Sequence, residues 1–216
     1  MSEPARERFR RTAFVLTTSD RSAAGTREDA SGAGIAERLE ALGFTVERSV
    51  VADDQPAIEA ALKEAADRHP LVVTTGGTGL TPRDVTPQAT LAVVDYEVPG
   101  LAEAMRAEGR EQTPFASLSR AVVGVRGRTL IVNVPGSPKG ALESIEAIVP
   151  VLDHALETLA GPFEHGSKAG AAPDDDGGGG DGGVGDGGGG DAPGDSTEDQ
   201  HEFGRDVPPV GSGDAN

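Results

Sequence analysis

A three-layer α/β/α fold with a mostly parallel central sheet is predicted by three features of the chain. Strand-like and helix-like runs alternate from Thr12 to Leu159, as in a sheet whose crossovers are helices. Leu71, Val72 and Val73 form a continuous apolar, β-branched run, the pattern of a strand buried on both faces. Polar and glycine-rich segments follow the strand runs, where ligands of open α/β sheets are held.

The elements follow in order. Residues 12–17 read as the first strand. Residues 31–42 carry Ile35, Leu39 and Leu42 at helical spacing and stop at Gly43, a C′ glycine. Residues 45–51 form the second strand. Asp54 can cap a helix over 55–68, with Pro56 in its first turn and Ile58 and Leu62 facing inward. The third strand, 71–75, runs into the glycine turn, and Thr86-Pro87 reads as N-cap and first residue of the next helix. A loop at Pro99-Gly100, a helix over 101–108 and an irregular stretch through Pro114 come next. Residues 121–125 and 129–134 read as paired strands around Arg126-Gly127-Arg128, and Pro138 opens a last helical region that Pro150 should break or kink.

The 216 residues divide by composition into a folded part, 1–164, and a tail, 165–216. The tail is rich in Gly and Asp and has almost nothing to bury, so it is expected to be disordered. It resembles a calcium-binding β-roll in composition, but those repeats need recurring apolar residues and Val184 is the one aliphatic side chain between Asp174 and Asp191. The tail holds 12 Asp and Glu against Lys168 and Arg205, a balance of −10 out of the chain's −17, which leaves −7 for the folded part. An acidic chain lacks the basic face that a nucleic-acid backbone requires. An acidic surface with Lys at positions 63, 139 and 168 alone also suits a high-salt cytoplasm. There is no Cys, hence no disulfide or thiolate metal site, and no window of about 18 apolar residues for a membrane span. The expectation is a cytoplasmic protein with no membrane or nucleic-acid partner. The histidines, His69, His154, His165 and His201, have no ligand spacing and are expected at the surface.

The chemistry concentrates at Thr74-Thr75-Gly76-Gly77-Thr78-Gly79 and the following Arg83-Asp84-Val85-Thr86-Pro87. Glycines after a buried strand let the backbone present N–H groups to an anion. The run is neither a P-loop, which needs Gly-Lys-Ser/Thr, nor a dinucleotide fingerprint. Asp84 lies where a phosphate is expected. Two negative charges about 4 Å apart repel by roughly 4 kcal/mol at an effective dielectric near 20, so a cation such as Mg²⁺ must bridge them or the carboxylate must turn away. The segments at 18–22, 52–54, 76–84 and 135–139 all fall after strands and converge on one end of the sheet.

These motifs, with Pro135-Gly136-Ser137-Pro138-Lys139, resemble the MoaB/Mog family of molybdenum cofactor biosynthesis, the molybdopterin adenylyltransferases, over about residues 10–160. The resemblance implies a three-layer molybdopterin-binding domain, a homotrimer or homohexamer, and Mg²⁺-dependent transfer of AMP from ATP to the terminal phosphate of molybdopterin, with hand-over to a metal-insertion protein. It implies that Asp84 and Asp53 are catalytic and hold Mg²⁺, although Asp54 could be the equivalent of Asp53, one of the two being a helix cap. Substrate binding falls by the same resemblance to Gly76, Gly77, Thr78, Gly79, Ser137 and Lys139, and to the first loop with Thr18, Ser19, Asp20 and Arg21 and, downstream, Asp29, Ser31 and Gly32; Asp29-Ala30-Ser31-Gly32 is equally an ordinary helix entry. No nucleophile–base pair stands out, so catalysis would be positional. The alternatives are a module of the same fold that binds molybdopterin without transferring AMP, and an interaction protein recruiting partners through its tail.

Overall fold

In the computed structural model, residues 11–161 are described. The expectations for the tail, for His165 and His201 and for the 164/165 boundary lie outside the described residues. The fold is α/β: a six-stranded, mostly parallel sheet flanked by helices.

The strands are β1 (Thr12–Thr18), β2 (Thr45–Val51), β3 (Leu71–Thr75), β4 (Tyr96–Glu97), β5 (Val123–Arg126) and β6 (Thr129–Val134). They lie in the order β2-β1-β3-β6-β5-β4. The first four in that order are parallel, while β5 and β4 are antiparallel additions at one edge. The helices are α1 (Asp20–Ala23), α2 (Ala30–Ala41), α3 (Gln55–Ala66), α4 (Thr86–Leu91), α5 (Pro99–Gln112) and α6 (Pro138–Ala160), with a 3₁₀ turn over Pro114–Leu118.

The two-residue side-chain period of the strands divides the core in two. Ala13, Val15, Leu71, Val73, Leu130 and Val132 point to one face and pack under α2, α5 and α6 through Ile35, Leu39, Met105, Ile145 and Ile148. Phe14, Leu16, Val72 and Ile131 point to the other and meet Ile58, Leu62 and Ala65 of α3 and Ala89 of α4. Because both faces are covered, β3 and β6 are buried at every position.

Four expectations need correction. Helix α5 begins at Pro99, not after a Pro99-Gly100 loop, since Pro at the first helical position gives up an N–H that would have no partner there. The same helix passes through Gly109 to Gln112; a Cβ at Gly109 would lie 2.8 Å from Ala116 Cβ, so glycine lets the 3₁₀ turn pack against it. Pro150 does not interrupt α6, which runs 23 residues. His69 is 3% exposed, its ring tilted against Phe14 with centroids 5.6 Å apart, and is no surface residue. Among the described residues no helix is long and apolar enough to cross a membrane.

Candidate functional site

Strand β1 is followed in sequence by β2 on one side of it and then by β3 on the other. The connections therefore leave in opposite directions between β1 and β3, and a crevice opens at their carboxyl ends. The crevice is a polar cavity of about 400 Å³ whose walls include Ser19, Ser31, Asp53, Gly76, Gly77, Asp84 and Ser137.

The floor is the glycine turn. Gly76 and Gly77 have φ of +99° and +62°, a region that favours glycine. A Cβ on Gly76 would lie 2.3 Å from the Thr18 carbonyl oxygen, and one on Gly77 2.3 Å from Thr86 Oγ1. The turn is pinned to the sheet: the Gly76 N–H donates to Val134 O at 3.3 Å and the Thr86 N–H to Gly77 O at 3.2 Å. Gly76 thus contributes shape and not a free donor. Thr86 is not the expected cap; the six-residue α4 has no side-chain cap bond at its start, and fully buried Thr86 shares a 2.9 Å hydrogen bond with Thr18 Oγ1 instead.

Asp84 and Asp53 are two of the acids in the cavity wall. Asp84 Oδ2 accepts from the N–H of Thr81 at 2.8 Å and from its hydroxyl at 2.6 Å. Partial burial pushes its pKa up, but the Thr81 hydroxyl, the N–H groups of Thr81 and Gly79 and the Arg120 guanidinium outweigh it and hold the carboxyl below its ordinary value. Asp84 is therefore an anion at neutral pH. Asp53 follows β2. Its Oδ2 accepts from the Asp20 N–H at 3.0 Å while Asp20 Oδ1 accepts from the Asp53 N–H at 3.0 Å, and Arg83 pairs with Asp20. The neighbouring Asp54 accepts from Ala57 N–H at 3.0 Å and caps α3.

Asp29 serves two ends. It caps α2 through the Gly32 N–H at 2.9 Å, receives the Thr17 hydroxyl at 2.9 Å, and still lines the cavity. A Cβ at Gly32 would be 2.2 Å from Asp29 Oδ2, so Gly32 makes room for this cap rather than lining the cavity. The cavity wall carries Glu28, Asp29, Asp53 and Asp84 against Arg27. Asp29 is also paired with Arg48 at 3.7 Å, and the carboxylates that remain in excess disfavour a polyphosphate without an accompanying cation. Among the described residues no three His, Asp or Glu converge as a metal cage. Mg²⁺ needs none, because it binds through one or two carboxylates plus substrate phosphates and water. The donor set fits that ion.

A second cavity, of about 270 Å³, adjoins the first across Ser137. Its walls are mainly apolar, with Ala102, Met105, Phe115 and Leu118, and Thr78 and Gly79 face it from the glycine turn. Phe115 and Leu118, both in its wall, are exposed at 74% and 52%. Ser137 precedes the 23-residue α6, whose positive N-terminal end reaches both cavities.

Of the residues read from sequence, Thr78 and Gly79 belong to the apolar cavity, and Asp20, Arg21, Gly32 and Lys139 line neither. The Lys139 side chain is 76% exposed and pairs with Glu143 at 3.3 Å. Thr18, the first residue of the predicted 18–22 segment, lines the polar cavity, and so do Arg27 and Thr17, which the sequence had not marked. Thr17 reads in the sequence as a strand residue, and Arg27 lies in a loop with no periodic signal.

Residues 14–154 match the model of a family described as a probable molybdopterin binding domain. The chain belongs to this family. It is a family of molybdenum cofactor biosynthesis that includes MoaB and Mog. The chain is 40% identical over 156 residues to a molybdopterin adenylyltransferase of Helicobacter pylori, an alignment covering 69% of this chain and 88% of that one. It is 41% identical over 139 residues to the molybdopterin adenylyltransferase of Escherichia coli, covering 62% and 71%. The crystal structure of the molybdopterin biosynthesis enzyme MoaB from Thermus thermophilus is similar with a TM-score of 0.66 at 51% identity, covering 69% of this chain and 96% of that one.

Proposed function

We infer that the chain is a molybdopterin adenylyltransferase, which joins AMP from ATP to the terminal phosphate of molybdopterin and releases pyrophosphate. One observation carries the reading: an acid-lined polar cavity and an apolar cavity meet at Ser137, the glycine turn facing both. That arrangement suits two ligands whose phosphates must meet while a flat ring is held to one side. The relatives' names agree with this chemistry.

The phosphate oxygen of molybdopterin attacks the α-phosphorus of ATP; an O–Pα bond forms, the Pα–O–Pβ bond breaks, and pyrophosphate leaves with the electron pair. The attacking oxygen is already anionic, so no general base is required. The chain's own part is placement. The positive-φ turn at Gly76-Gly77 lets phosphates approach the backbone, and Ser137 with the N-terminal end of α6 faces them. Arg27 supplies a cationic side chain in the cavity wall. Asp53 and Asp84 would hold Mg²⁺, which when bound neutralises charge on the phosphates and the leaving pyrophosphate.

Asp84→Asn tests this. The amide keeps the shape, so the variant should fold and bind molybdopterin, yet lose AMP transfer by roughly 100-fold or more, about 2.7 kcal/mol, in an assay of pyrophosphate release with ATP, Mg²⁺ and molybdopterin. An unimpaired variant would remove Asp84 from the chemistry.

A further inference from the structure

The segment that carries Asp84 has little of its own to hold it. Leu80 is 64% exposed, residues 81–83 are exposed, the carboxylate's bonds to Thr81 stay inside the loop, and the Arg83–Asp20 pair that reaches out of it lies in solvent. Arg120 supplies an anchor from outside. Its Nε donates to Gly79 O at 2.6 Å, its Nη2 donates to Asp84 O, and its backbone N–H donates to Thr78 O at 3.0 Å. A guanidinium presents its donors in a rigid plane, so one group bonded to both carbonyls fixes the distance between the two ends of the 79–84 loop.

Arg120 is itself fixed to the sheet. Two residues on, the Val122 N–H donates to Asn133 Oδ1 at 3.2 Å and Val122 O accepts from Asn133 N–H at 3.0 Å, while Arg106 Nη1 donates to Ala121 O at 3.0 Å. Asn133 lies in β6 and is completely buried, with its amide nitrogen bonded to Thr74 and Thr90. A continuous path of hydrogen bonds and short backbone therefore runs from the sheet interior to the backbone of Asp84.

We propose that Arg120 is a positioning residue, which closes the 79–84 loop on the sheet and so sets the place of Asp84 in the polar cavity. The proposal rests on the reading of Asp84 as an acid of AMP transfer. It predicts that charge is not enough: lysine keeps the cation but cannot bond two carbonyls at a fixed separation.

The test uses the full chain with Arg120→Lys and Arg120→Met. In both, amide hydrogen exchange across residues 79–85 should speed up at least 10-fold while β1 and β6 exchange as in the wild type. Pyrophosphate release should need roughly 10-fold more Mg²⁺ for half-saturation, with kcat lowered and KM for molybdopterin changed less than two-fold. Unchanged exchange in the loop would overturn the proposal, as would equal loss of protection in β1 and β6 or an Arg120→Lys variant with wild-type Mg²⁺ dependence. A wild-type chain without turnover would refute the transferase reading, and the exchange pattern would still decide whether Arg120 holds the loop.

Discussion

Among the described residues the ring nitrogens of His69 have no hydrogen-bond partner, and Nε2 comes within 3.5 Å of the Glu47 carboxylate. Burial, which disfavours the cation, lowers the pKa below the ordinary 6.5 despite the opposing pull of Glu47. The unfolded chain then takes up a proton that the folded chain refuses. Stability from this site is full above about 6.5 and is lost as the pH falls below it. His69→Leu should remove part of the decline in thermal midpoint between pH 7 and pH 5; an identical decline in both proteins would show that His69 is protonated without penalty. The sequence showed His69 only as a histidine between Arg68 and Pro70, since its burial comes from Phe14 in a strand 55 positions earlier. The same limit applies to Asp53 and Asp54. Both precede a helix at positions suited to capping, and the partner that separates them, Asp20, comes from the exit of another strand. Gly76 and Gly77 were legible, because a buried strand followed by paired glycines leaves few backbone choices.

Elements with strong periodicity were legible to within a residue or two. β2, β3 and β6 match their expected limits, and Gly43 closes α2 with φ of +87°. β4 has two residues and pairs with β5 through Tyr96 and Glu97, too short a run for any period to show. Pro150 misled because an isolated proline is read as a breaker, whereas α6 buries Ile145, Ile148, Leu152 and Leu156 on both sides of it. That apolar stripe outweighs one lost hydrogen bond. An interior proline costs a helix about 3 kcal/mol, partly offset by about 1 kcal/mol from a stiffer unfolded chain, so Pro150→Ala at this exposed position should stabilise by roughly 1–2 kcal/mol. Chemical denaturation measures it, and a destabilised variant would mean that the proline ring itself is packed.

At the scale of the molecule, the candidate site was legible through topology: polar segments after parallel strands must meet at one edge, and β1 and β3 form the switch point where they do. It did not separate the two cavities, because the apolar one is walled by α5 and the 3₁₀ turn, whose packing depends on Gly109 and Ala116. Residues 1–164 carry −7, so screening should relieve self-repulsion and raise the thermal midpoint from low salt to molar KCl. A flat or falling midpoint would contradict the acidic-surface reading. The proposed function requires the two cavities to bring the α-phosphate of ATP to the phosphate of molybdopterin. Incubation of the full chain with Mg²⁺, molybdopterin and ATP labelled at either the α- or the γ-phosphate tests it most directly. With an adenylyltransferase, α-label joins the pterin in equal amount to the pyrophosphate released, while γ-label appears only in pyrophosphate; molybdopterin that binds but acquires no α-label, or that acquires γ-label, rules out AMP transfer.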